Sequence, residues 1–300
     1  MAINVINNTK ADPWIPEDIA QRALGKLEDN LYLAQNVARD TEFNVQNQGD
    51  KIIVGKRGTL SRNAKTAGSS VTFQNPTASK VEVSLDQHYE VTVNYDDIMK
   101  TQVDGRVSID DGYMEDAILT LAEGVETDLA GLATGFSQTS GSQGVDVDED
   151  AVLSLRKTLT QQKAPRSNRF LYLDPAQINV ALKLDRFTAV EKYGPNASIA
   201  EGELGKIHGF RVFESNFVKA AGSPTTYYNI AMHKDAIILA TRPIKPPNDP
   251  YVSVGYAAKD GLVMRVLKAW NSTYLCDQVT IDMLYGYSEL RDEFGVQLLT

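Results

Sequence analysis

Cysteine occurs once in this chain, at Cys276, so no intrachain disulfide can staple it, and the usage fits a reducing compartment. Histidine is almost as scarce. His88, His208 and His233 are far apart, each beside aromatic or apolar strand residues, and none has a second ligand at zinc-site spacing. No apolar run approaches the roughly 20 residues of a spanning helix. The first ten residues, MAINVINNTK, lack the basic-then-apolar order of a secretory signal. The expectation is neither membrane insertion nor export by that route. No internal repeat, coiled-coil heptad or Pro-rich or Gly/Ser-rich linker interrupts the chain, which predicts interlocked subdomains. Basic charge is in deficit: 30 Lys and Arg against 39 Asp and Glu give a formal net charge of -9. The chain as a whole therefore has little attraction for phosphate backbones or anionic membranes.

What is present is ordinary globular material, 42% hydrophobic over 300 residues and enough for a sizeable core. Ile19, Ala23, Leu27, Leu31, Ala34 and Ala38 recur at spacings of three and four, predicting a helix from about Pro16 to Asp40 after an extended arm. From about Phe43 to Tyr95 the period is two, as in Val81, Val83 and Leu85 and again in Tyr89, Val91, Val93 and Tyr95. This reads as a long hairpin whose middle is too polar and glycine-rich to form a core of its own. Ser108 and Asp111 in capping-box spacing open a second long helix. Its stripe is Tyr113, Ala117, Leu121, Val125, Leu129 and Leu132. A helix over Asp148 to Gln162, a strand over Arg169 to Leu173 and a helix from Asp174-Pro175 to about Leu184 follow. Strands are expected at Phe210 to Phe213, Tyr227 to Leu239 and repeatedly over Val252 to Tyr287, with Val296 to Leu299 as an edge strand or tail. The fold class is α+β.

Candidate chemistry is thin. Asp146, Asp148 and Asp150 alternate like a calcium loop, but Ala151 replaces its turn glycine and Lys157 its bidentate glutamate. Gly202, Gly205 and Lys206 suggest a phosphate loop, yet Ala200 and Ile207 stand where glycine and Ser/Thr are needed. Cys276, after Tyr274 and Leu275, reads as a small buried hydrophobe. These exclusions nominate no catalytic, cofactor-binding or metal-binding residue. A hydrolase assembled from scattered groups such as His233 and Asp235 is the rival of a different class. Lys51, Lys56, Arg57, Arg62 and Lys65 concentrate positive charge on the proposed hairpin of an acidic chain. They are either a solvated loop or a contact for acidic surface on a neighbouring copy.

Two stretches carry a resemblance. Gly205-Lys206-Ile207-His208-Gly209-Phe210-Arg211-Val212-Phe213-Glu214-Ser215-Asn216 is a glycine-hydrophobic-glycine turn entering a strand that ends in Ser-Asn. Met232-His233-Lys234-Asp235-Ala236-Ile237-Ile238-Leu239-Ala240 is a strand beginning near His-Lys-Asp-Ala. With the element order over nearly the whole chain, they resemble the major capsid proteins of tailed double-stranded DNA phages, the Hong Kong 97-type capsid fold.

The resemblance implies an N-terminal arm and helix over 1–45, an extended loop over 46–88, a peripheral domain over 89–147 and 251–300, and an axial domain over 148–250. It implies a non-enzymatic shell subunit, assembling with itself as hexamers and pentamers into an icosahedral virion capsid in the host cytoplasm. Such a shell encloses double-stranded DNA without sequence-specific binding. The chain starts close to the arm, which implies a separate scaffolding protein, and a portal is the further partner. Lys51, Lys56, Arg57, Arg62 and Lys65 become intersubunit contacts of the loop, and Gly55, Gly58, Gly105, Gly205 and Gly209 hinge or turn candidates. An encapsulin-like nanocompartment with a protein cargo is the alternative within the same fold.

Overall fold

The computed structural model of the chain describes residues 20, 23, 31–39, 51–56, 58, 60–96, 109–183, 203–223, 225–259 and 262–300. Ala20 and Ala23 are helical and buried. The expected helix does not reach Asp40. A 3-10 turn at Ala34–Asn36 and strand β1, Ala38–Arg39, replace its last part. The physical reason is competition. The backbone N–H groups of Leu33 and Ala34 are taken by the Glu126 carboxylate, and Ala38 and Arg39 pair in parallel with Ile238 and Leu239. The remainder of the expected Pro16 to Asp40 helix, and the arm before it, fall outside the described residues.

Strands β2 (Lys51–Lys56) and β3 (Ser79–Ser84) form a separate two-stranded ribbon, and β4 (Gln87–Asp96) follows. Helix α1 runs Ile109–Leu132 and turns through a 3-10 segment at Ala133–Gly135. The predicted stripe is its core face: Ala117, Leu121, Val125 and Leu129 are buried and Leu132 packs against them. Ser108, nominated as its cap, lies outside the described residues. After β5 (Thr139–Gly141), helix α2 (Glu149–Gln161) buries Val152, Leu155 and Leu159. The Asp148 side chain caps it by accepting from Ala151 N at 2.7 Å. Then come β6 (Arg169–Leu173) and α3 (Pro175–Ala181), capped by Asp174 with proline in its first turn.

The chain continues through β7 (Glu203–Ile207), β8 (Phe210–Glu214), β9 (Lys219–Ala221), β10 (Thr226–His233), β11 (Ile237–Arg242), β12 (Ser253–Lys259), β13 (Leu262–Asn271), β14 (Cys276–Glu289) and β15 (Gly295–Leu299). One sheet has the order β1-β11-β14-β13-β12, with β4 on the other side of β14. The other has the order β5-β15-β10-β6-β8-β7, with β9 beside β10. Gly295–Leu299, expected at an edge or in a tail, is an interior strand between β5 and β10. The outward alternation an edge allows is missing because both of its faces are covered.

The chain passes from one sheet to the other through α1, between β4 and β5, and crosses twice more at neighbouring places. Strand β10 passes into β11 through the 3-10 turn Lys234–Ala236, and β14 into β15 through Asp292–Phe294. Leu290 N and Arg291 N both donate to Ala236 O, at 2.8 and 3.1 Å, and join the two crossings. One continuous apolar core runs under both sheets and α1.

Candidate intersubunit surface

The β2–β3 ribbon pairs from Lys51↔Ser84 to Lys56↔Ser79. Its alternation turns Ile52, Val54 and Val83 inward, onto Ile238, Ala240, Leu85 and Leu290, a small second core at the base of the hairpin. Gly286 of β14 lies directly beneath Ser84, where an added Cβ would run into the Ser84 carbonyl. The base is therefore seated on the β11–β14 sheet by shape as well as by apolar contact.

The rest of the hairpin has no seat. Residues 60–80 are all exposed. They are held to each other locally: Gly58 abuts the Thr77 backbone with no room for a side chain. The Gln74 side chain then substitutes for a ladder pair, its Oε1 accepting from Ser61 N at 2.8 Å and its Nε2 donating to Ser61 O. Ser69 N donates to Thr66 O at 3.1 Å, and Gly68, at φ 81°, turns the tip. Leu60, Val71 and Phe73 stand in this bare excursion, Phe73 at 90% exposure. Each leaves about 1.5–3 kcal/mol of burial free energy unrealised in the isolated chain. A polar loop has no folding reason to carry them; a partner surface supplies one.

The basic residues divide along the hairpin. Lys51 Nζ lies 3.1 Å from Glu82, which Lys80 also meets at 2.6 Å, and Lys80 and Lys51 together hold the Glu82 carboxyl below its usual range. Lys56 reaches the inter-sheet crossing, 2.9 Å from Glu293. Burial opposes ionisation of Glu293, but the Lys56 ammonium, the Glu293 backbone N–H and Arg291 together outweigh it and hold the carboxyl low. Arg62 and Lys65 lie on the exposed part; Arg57 is outside the described residues. Of the glycines, Gly55 sits inside β2 and Gly205 inside β7, at φ 84° where the β7–β8 register shifts. Gly209, at φ 95°, forms the β7–β8 turn with His208, itself at φ 48°. Gly105 is outside the described residues.

A second bare patch lies at one end of the larger strands. Trp270 is the last residue but one of β13, Tyr274 and Leu275 occupy the β13–β14 turn, and the Ser253↔Lys268 register brings Tyr251 to the same end. All four are more than half exposed, Tyr251 at 87% and Tyr274 at 74%. Trp270, Tyr274 and Leu275 are close in sequence, and strand pairing adds Tyr251 to them.

The groups considered for chemistry are spent on structure. His233 is buried, accepts from Asp235 N at 3.2 Å and sets its ring edge on Phe294; burial lowers its pKa, outweighing nearby Asp235. His208 Nε2 lies 3.3 Å from Glu149, and His88 Nε2 lies 3.1 Å from Asp282. Cys276 is buried. Among the described residues no group of three His, Cys, Asp or Glu side chains could hold a metal, and no helix is long and apolar enough to cross a membrane.

No family model matches this sequence, and no curated protein does. Solved structures do. A chain of Mycobacterium phage Che8 superposes with a TM-score of 0.64 at 18% identity, over 89% of this chain and 90% of that one. The capsid of Ralstonia phage GP4 matches at 0.61 and 14% identity, over 88% and 87%. The capsid of a native GTA particle matches at 0.56 and 14%, over 88% and 91%. The fold is the Hong Kong 97-type capsid fold. The capsid fold was expected from element order and the two motif stretches, and the superpositions bear it out at sequence identities below a fifth.

Proposed function

We propose that this chain is the major capsid protein of a tailed phage, a non-enzymatic subunit that self-assembles as hexamers and pentamers into the icosahedral shell around double-stranded DNA. The observation that carries the reading is a hairpin seated at its base and bare at its apolar tip, on a capsid fold. A contact that builds a shell is heterologous and needs two different patches on one chain. The tip around Phe73 and the sheet end around Tyr251, Trp270 and Tyr274 supply two. Lys51 and Lys56 brace the hairpin from within, leaving Arg62 and Lys65, with Arg57, as its cations for a neighbour.

In this reading residues 1–45 are the arm and 46–88 the loop laid over an adjacent copy. The peripheral part is 89–147 with 251–300, and the axial part 148–250. Sheet membership favours shifting three strands between the parts: β11 goes with the peripheral strands, and β5 and β15 with the axial ones. Gly55, Gly58, Gly105, Gly205 and Gly209 let the loop and turns adapt to non-equivalent neighbours. A net charge of -9 suits a container that holds DNA without gripping it. A separate scaffolding protein and a portal complete the assembly, in the host cytoplasm. Electron microscopy of the expressed chain, alone and with a candidate scaffolding protein, tests the reading. Closed shells are expected, with DNA in particles from infected cells. Monomers at high concentration with scaffold present would overturn it, and particles filled with protein cargo would turn it to a nanocompartment.

A further inference from the structure

Glu126 stands in the apolar stripe of α1, with Ala122 and Ala130 one turn away on either side, and is 1% exposed. A carboxylate in that position needs a reason. Its Oε2 accepts from Leu33 N at 2.9 Å and its Oε1 from Ala34 N at 3.0 Å, and the Tyr32 N–H adds a third backbone donor. The segment it grips, 31–39, touches both sheets. At one end the Tyr172 hydroxyl of β6 donates to Tyr32 O at 3.2 Å and accepts from Asn36 Nδ2 at 2.8 Å. At the other end, β1 pairs with β11. The carboxylate holds the middle of a strap laid across the two sheets.

We propose that Glu126 is a proton-controlled clamp, setting how firmly segment 31–39 ties the two sheets and α1 together. The groups facing it are Arg39 of β1, whose Nε donates to Ala34 O at 3.1 Å, and Tyr172 of β6. Arg211 of β8 acts on Tyr172, and on α1 itself Asp128 is turned away to Tyr285 of β14. Burial pushes the Glu126 carboxyl up to about 7, against the pull of the three N–H groups and Arg39. Released into water, the same carboxyl returns to its ordinary 4.5. The clamped form thus binds the proton more tightly than the released form. Its grip is full below pH 4.5 and is lost as pH rises through about 7, so alkaline conditions loosen the strap and acid tightens it.

The clamp lies within one chain and does not depend on the shell reading. Amide hydrogen exchange of the full-length protein, followed on peptides spanning 31–36 and corrected for the intrinsic pH dependence of exchange, tests it. Protection is expected to fall about tenfold per pH unit between roughly pH 5 and 7 and to level off above. Glu126→Gln removes the slope. Tyr172→Phe, which leaves the carboxyl in place, lowers protection and keeps the slope. A flat wild-type profile, or an E126Q profile with the wild-type slope, overturns the clamp; the wild-type series decides even if E126Q does not fold.

Discussion

Arg265 and Asp282 face each other across β13 and β14, both buried, with Arg265 Nε 2.9 Å from Asp282 Oδ1 and a second bond from its other nitrogen to Oδ2. Arg265 also donates to Lys245 O at 2.7 Å, and the Asp282 hydrogen bond raises its pKa further. Buried pairs of this kind add little over apolar packing, but halving one is costly because an uncompensated charge remains. Arg265→Ala leaves Asp282 with His88 alone, a ring half in water. The expected loss is about 3–5 kcal/mol, read by urea denaturation of dissociated subunits. The double change Arg265→Met with Asp282→Leu should lose much less. A single-mutant loss below the double's would contradict this account of the pair.

For the β2–β3 hairpin, two interactions compete as the explanation of its seat. Lys56 and Glu293 form an ion pair that is about one-third exposed on both sides, and such pairs contribute up to about 1 kcal/mol. Val83 is fully buried in the second core, and removing two methyl equivalents there costs about 2 kcal/mol. The apolar seat therefore outweighs the ion pair. Val83→Ala should speed amide exchange across β2 and β3 by more than tenfold, and Lys56→Ala by less, with β11–β14 unchanged in both. The element was readable in the sequence because alternation and polarity announce a ribbon that cannot bury itself. Its seat was not, because Gly286 and Ile238 are more than 150 positions from the strands they support.

Across the whole molecule, the apolar tip separates assembly from folding. Phe73 and Val71 touch little within their own chain, so Val71→Ser with Phe73→Ser should leave subunit stability within about 0.5 kcal/mol while closed shells are lost. Sedimentation and denaturation on the same preparation check both halves. An equal loss of stability would mean that the tip is packed on its own subunit. Two crossings tied at Ala236 and the strap at 31–39 join the sheets, so adaptation to different neighbours is expected as movement about these few points.

The sequence by itself determined the periodic elements: α1 with its stripe, α2, β6 and the C-terminal strands lie where spacing puts them, because local burial pattern and capping chemistry suffice. The helix Pro16 to Asp40 failed at its end because periodicity cannot register a competitor. Glu126, 92 residues beyond Ala34, takes the N–H groups that a longer helix would have used. The position of Glu126 in an apolar stripe was the available signal. The interior place of β15 and the seat of the hairpin were decided by tertiary structure alone, since each is made by strands that meet only after the chain has crossed between its two sheets.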